Sequence, residues 1–300
     1  MLQEQSKSST AVQGSIGIGT AFGTFGELLQ GMHVDNDLDF LVTFPIDRHA
    51  QVILYPDSSK EIKVTPAFKN KSVLLAERLL KHYGLPPGGT LTIKSDLPVG
   101  KGLASSSADL VATARAVASA YGIDIPLPIL QQFLCEIEPT DGVMYPGVVF
   151  FYHRKVEIGE IFGSIPRFTV VAIDEGGEVD TITYNQERKP FTTEEKEEYT
   201  ELLYRLKMAL QEQDVRTIGE VVTRSVIMNQ SRREVQALCH LLEVAKQCEA
   251  LGVVTAHSGT YTGVLLWQEE DHYATKLAHV IDELQETYGQ VHVFHSLSGG

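Results

Sequence analysis

The sequence predicts an α+β protein. Short strand-like runs with polar and proline breaks crowd the first hundred residues, long helix-period runs fill the middle of the second half, and two strands flank a polar turn near the end. Hairpin-type strands beside segregated helices indicate α+β rather than a doubly wound parallel sheet. Three hundred residues suit one large or two intimately packed domains, and we divide the chain at 1–165 and 166–300, with the crossover inside 159–167.

In chain order, the first signal is the run 14–31, GSIGIGTAFGTFGELLQG, where small residues recur too often for a packed helix and the backbone is expected to approach a neighbour closely. Strand runs follow at 40–44, 49–55 and 61–65. Residues 71–83 place Val73, Leu74, Ala76, Leu79, Leu80 and Tyr83 at helical period, and Gly84, Pro86 and Pro87 stop the run. Leu91 and Ile93 alternate with Thr92 and Lys94 as in a half-buried strand. A glycine loop and then a helix over 108–121, closed by Gly122, come next. A shorter helix is expected at 127–136, strands at 148–152 and 168–173, and a polar stretch over 174–189. Helices at 193–211, 215–229 and 232–251 lead to strands at 253–256 and 263–267, a helix at 273–287 and a last strand at 291–295. No fixed-period repeat interrupts this order.

Composition narrows the function classes. With 43% apolar and 21% charged residues the chain is an ordinary globular protein, and a formal charge of −14 argues against coating nucleic acid or an anionic membrane. Any phosphate site must be local. Cys135, Cys239 and Cys248 are odd in number and lack CxxC spacing, so they read as reduced, buried thiols rather than a disulfide framework or zinc cluster. The polar opening LQEQSKSST has no apolar core of a secretory signal, and no run approaches a membrane span, which predicts a cytoplasmic protein.

The strongest chemical signal is Pro98-Val-Gly-Lys-Gly-Leu-Ala-Ser-Ser-Ser-Ala-Asp109, where glycines and then three hydroxyls stand at a helix start. Free amides, a positive dipole end and a pliant glycine loop suit a phosphate group. Ser105 or Ser106 can also ligate magnesium through its hydroxyl. The bland alternative is that Ser105, Ser106 and Ser107 cap the helix and Gly100 and Gly102 merely turn the chain. The segment is not a GxxxxGK[ST] loop, because Lys101 precedes Gly102, and Gly17-Ile-Gly19 is not a dinucleotide fingerprint, because the next glycine falls at Gly23. Glu138-Pro-Thr-Asp141-Gly holds acidic residues in a turn just past a helix, and in-line transfer to a hydroxyl needs a carboxylate beside that hydroxyl. Lys101 is placed to screen phosphate charge, Arg115 reads as a solvated helix residue, His257 as a structural histidine, and the acidic run at 194–198 as a solvated helix start.

PVGKGLASSSAD resembles the Pro-x-x-x-Gly-Leu-Gly-Ser-Ser-Ala nucleotide motif of the GHMP kinase superfamily: Pro98, Gly102, Leu103, Ser105 and Ser106 match, while Ala104 replaces a glycine and Ser107 an alanine. Residues 19–31 resemble its first, substrate-side motif, and residues 254–264, VTAHSGTYTGV, its third motif, a turn behind the phosphates. GTFGELLQG, PVGKGLASSSAD, IEPTDG and AHSGT together look most like the branch acting on L-threonine in the aminopropanol arm of cobalamin. The resemblance implies a two-lobed fold, with an N-terminal lobe like ribosomal protein S5 domain 2 and a ferredoxin-like C-terminal lobe. It implies ATP, magnesium and a small amino-acid substrate, with ATP lying between Ser105 and Ser258. In that scheme Asp141 is catalytic, and Pro98, Gly100, Lys101, Gly102, Leu103, Ala104, Ser105, Ser106, Ser107, Ser258, Gly259 and Thr260 bind nucleotide. Glu27, Thr24 and Gly26 face the substrate, and Ser105, Ser106 and Glu138 hold the metal. L-serine, homoserine or another small alcohol is the alternative substrate, a non-catalytic metabolite or nucleotide sensor is the alternative class, and a homodimer stays open.

Overall fold

The computed structural model describes residues 14–177, 189–256 and 259–297. A first sheet contains β1 (Gly17–Met32), β2 (Asp39–Pro56), β3 (Ile62–Thr65), β4 (Gly89–Ser95), β5 (Val148–Tyr152) and β6 (Glu157–Gly163). Its strand order is β3-β4-β2-β5-β6, with β1 antiparallel to β2. The runs at 40–44 and 49–55 are one strand, because Pro45 sits opposite Thr24 where β1 changes register and so interrupts no regular ladder. Residues 157–163, those from 159 on expected in the crossover, form a strand paired with β5, and the chain changes sheet only between Gly163 and Phe168.

Helices α1 (Asn70–His82), α2 (Ser105–Tyr121) and α3 (Leu127–Cys135) belong to this half. Helix α2 is buried on nearly every side, not on one face, because β1 lies along it backbone to backbone. A Cβ at Gly19 would sit 2.1 Å from the Ala112 carbonyl oxygen, and one at Gly17 would sit 2.1 Å from that of Ala116. Glycine on the strand and alanine on the helix are what let the two approach so closely.

The second sheet contains β7 (Phe168–Asp174), β8 (Gly252–Thr255), β9 (Tyr261–Trp267) and β10 (His292–His295) in the antiparallel order β10-β7-β9-β8. With α4 (Thr193–Glu212), α5 (Val215–Asn229) and α6 (Leu238–Gln247) between β7 and β8, and α7 (Tyr273–Tyr288) between β9 and β10, this is the ferredoxin-like split βαβ arrangement. The helix expected over 232–251 is shortened to α6. Asn229 and Glu175 accept the main-chain bonds of the preceding turn, with the Asn229 carbonyl bonded to the Arg232 and Arg233 amides and the Glu175 carboxylate to that of Ala237. The acidic start of α4 is more than a solvated face: Thr192 and Glu195 form a reciprocal capping box, and Glu195 also pairs with the buried Arg232.

One continuous apolar core joins the halves, with Phe25, Phe44, Phe168, Tyr199 and Val254 in the same cluster. Cys248 is buried, but Cys135 and Cys239 are exposed, against the expectation of three buried thiols. No helix among the described residues is long and apolar enough to cross a membrane.

Candidate active site

The loop from β4 enters α2 through three residues with positive φ, Gly100 at 76°, Gly102 at 77° and Ala104 at 55°. Ala104 accepts from the Ala108 amide, and no side chain caps the helix, so the amides of Ser105, Ser106 and Ser107 lack intrahelical acceptors. They open the positive end of a long helix dipole. Two neighbouring segments brace this loop. The Thr24 amide donates to the Leu103 carbonyl at 3.3 Å and the Gly26 amide to the Gly102 carbonyl at 3.0 Å. From the other side, Gly259 lies so close that a Cβ there would be 2.2 Å from the Gly102 nitrogen. Three glycine-bearing segments, far apart in sequence, therefore meet through their backbones. Ser258 and His257 lie outside the described residues, whereas Thr260 donates its hydroxyl to Asp174 at 2.5 Å.

The serines divide their work. Ser106 donates its hydroxyl to Glu138, and Ser105 is buried in the same first turn. Ser107, expected to bind phosphate, turns its hydroxyl toward the catalytic candidate and leaves its amide at the helix head: the hydroxyl donates to the Asp141 carboxylate at 3.3 Å and accepts from the Asp141 amide at 3.1 Å. Its position one residue further along the helix rotates it away from the loop. Burial, followed by the nearby Glu27 charge, pushes the Asp141 carboxyl up to about 7, with Glu138 adding to the rise and the Ser107 hydrogen bond opposing it. Glu27 is itself buried at 5% exposure, and Thr24 at 2%. The ladder between β1 and β2 shifts register on both sides of Glu27, the local bulging that re-aims a side chain.

The cations around the loop are engaged in specific contacts. Lys101 pairs with Asp174 at 2.8 Å and donates to the Gly177 carbonyl at 3.0 Å, a bridge from the loop to the end of β7. Burial pushes the Asp174 carboxyl up, but the bonds from Lys101, Thr260 and the Gly176 amide outweigh it and hold the group below its ordinary value. Lys69 pairs with the buried Asp109, and Lys71 with Glu138. Arg115 is not simply solvated: its guanidinium donates to the Thr20 carbonyl at 2.7 Å and the Met144 carbonyl at 3.3 Å, tying β1 to the segment that follows Asp141.

Beside the loop, a cleft of about 390 Å³ is lined by Phe68, Lys69, Asp96, Pro98 and Val99. Pro98 thus stands at the cleft rather than at the helix head, while Leu103 is buried in the core. Sequence reasoning missed Phe68, Lys69 and Lys71. One signal was available: Lys69 and Lys71 bracket the start of α1, whose first turn holds no acidic residue, and cations are unfavourable at that end of a helix unless an anion is near.

Residues 70–152 match the family described as "GHMP kinases N terminal domain". The chain is 25% identical to an L-threonine kinase of Salmonella typhimurium, across 92% of this chain and 91% of that protein. In fold it is similar to a homoserine kinase from Cytophaga hutchinsonii, with a TM-score of 0.72 at 17% identity over 99% of this chain and 98% of the other. The mevalonate kinase of L. major in complex with R-mevalonate superposes with a TM-score of 0.71 at 14% identity, over 96% and 98% of the two chains. A matched N-terminal domain family, near full-length likeness to a kinase and a shared two-lobed fold converge on one conclusion: residues 70–152 carry a GHMP kinase N-terminal domain, and the chain is an ATP-dependent small-molecule kinase.

Proposed function

We propose that the chain transfers the terminal phosphoryl group of ATP to the side-chain hydroxyl of L-threonine, giving O-phospho-L-threonine and ADP. The observation that carries this reading is the buried carboxylate pair, Asp141 with Glu27, set beside the open amides of α2. An amino acid brings an ammonium group, which a buried acidic pocket attracts, and a hydroxyl, which needs a proton acceptor. Asp141 supplies the acceptor: the substrate oxygen bonds to the terminal phosphorus, the bond from phosphorus to the ADP oxygen breaks, and the hydroxyl proton passes to the Asp141 carboxylate. Ser107 holds that carboxylate in place through its two hydrogen bonds. The amides of residues 105–107 receive phosphate oxygens, and the cleft of Phe68 and Val99 suits the nucleobase. The Ser106 hydroxyl and Glu138 carboxylate already touch, a pair of hard oxygens of the kind magnesium takes alongside phosphate oxygens. When bound there, the metal would neutralise charge on the phosphates.

Likeness to a named L-threonine kinase supports the substrate, and ADP release measured across L-threonine, L-serine and L-homoserine tests it. L-threonine is expected to give the highest kcat/KM; a preference for either rival would reassign the substrate, and no turnover with any of them would reject the amino-acid reading. Asp141→Asn is expected to lower kcat at least ~100-fold with ATP affinity little changed, the scale of a positioned base.

A further inference from the structure

Phosphoryl transfer concentrates negative charge on the terminal phosphate, and a site performing it needs cations there. In a chain of net charge −14 these cannot come from the general field. Around the loop, Lys101 is committed to Asp174 and Gly177, Lys69 to buried Asp109, and Arg115 to two main-chain carbonyls. Lys71 differs. Its side chain is 54% exposed, and it is joined to one carboxylate oxygen of Glu138 while Ser106 holds the other. Lys71, Glu138 and Ser106 thus form a continuous chain of contacts ending on the first turn of α2, where the amides are open. A second observation bears on the same residue: Lys71 sits in the first turn of α1, against that helix's own dipole, and the helix's first turn holds no acidic residue, so its charge is offset from another segment, by Glu138. A cation placed against its own helix and balanced only from a neighbouring segment is where a functional demand is expected.

We propose that Lys71 is a phosphate-binding residue that contacts the terminal phosphoryl group, and that its bond to Glu138 is a resting contact given up when nucleotide enters. The exchange would keep the charge balance: Lys71 covers the Glu138 carboxylate, and with nucleotide bound it would serve the phosphate while Glu138 and the Ser106 hydroxyl would hold magnesium. The four-carbon stem allows this swing, because half of it already lies in solvent. The inference rests on the kinase reading above and goes beyond it by naming a residue outside all three glycine-bearing segments.

Calorimetric titration of ATP and of ADP, in magnesium buffer, into wild type, Lys71→Met and Lys71→Arg tests it. If Lys71 meets the terminal phosphate, Lys71→Met loses about tenfold or more in ATP affinity but less than about twofold in ADP affinity, and Lys71→Arg keeps the wild-type preference for ATP. A merely structural lysine would weaken both nucleotides alike or neither, and either result overturns the proposal. Wild type that binds ATP while Lys71→Met binds it equally well sinks this assignment alone. Wild type that ignores ATP removes the kinase reading and this inference together.

Discussion

At the scale of single residues, Asp141 carries a consequence that can be measured without substrate. Its carboxyl keeps a proton to about 7 in the folded protein but releases it near the ordinary 3.8 when unfolded. Across that window the native state binds more protons, so this group's contribution to stability falls as pH rises. Asp141→Asn, which cannot ionise, is therefore expected to melt above wild type at pH 8, by something on the order of 1–3 kcal/mol, with the gap narrowing toward pH 5. The same titration sets activity: kcat/KM for the amino acid should climb with pH and level off above about 7. Ala104 offers a separate test, since φ of 55° strains a residue with a Cβ. Ala104→Gly is expected to raise stability by about 0.5–1 kcal/mol in a denaturant titration, and a loss would show that the loop is not strained there. The sequence exposed both residues, Asp141 through its Pro-Gly turn and Ala104 through its departure from the family's glycine. The roles of Ser107 and Arg115 were not visible, because a hydroxyl or guanidinium reaching a main-chain atom thirty or ninety positions away leaves no local pattern.

At the scale of elements, the strands and helices were legible wherever periodicity was undisturbed, as in α1, α5 and β5. It failed where a tertiary contact substituted for local preference. The glycine run at 14–31 reads as a close backbone approach of unassigned secondary structure, and it is a strand because α2 needs a neighbour without side chains. The strand at 157–163 was hidden because most of its residues face solvent and carry no alternation strong enough to announce it. The meeting of three remote segments at Gly102 and Gly259 was readable only as a likeness between motifs, never as a distance. Gly259→Ala tests that meeting: with its Cβ 2.2 Å from the Gly102 nitrogen, the turn or the loop must shift. The expected result is at least a tenfold loss of ATP affinity by calorimetry, together with a destabilisation of roughly 2 kcal/mol or more. Wild-type binding in that variant would mean the two segments separate freely.

At the scale of the molecule, one apolar cluster spans both sheets, and the Lys101–Asp174 bridge joins them again beside the glycine loop. Heating should accordingly produce one calorimetric transition, with van't Hoff and calorimetric enthalpies that agree; two resolved transitions would show that the sheets melt as separate units. The fold class followed from the order of elements, because hairpins and segregated helices argue against a doubly wound parallel sheet, and β3 with β4 is a parallel pair within a mostly antiparallel one. The shared core did not, since nothing local marks Phe25 and Phe168 as members of one cluster, each ring set against Phe44.

The glycine-to-alanine seam between β1 and α2 has a last implication. A strand and a helix locked so tightly cannot slide independently. Whatever draws on the head of α2 also tugs the strand bearing Glu27, so the two ligands should assist one another, each tightening the other's hold by the same factor. Kinetic synergism between nucleotide and amino acid would then be a property of the seam itself, and a bulkier residue at Gly19 should uncouple the pair before it unfolds the chain.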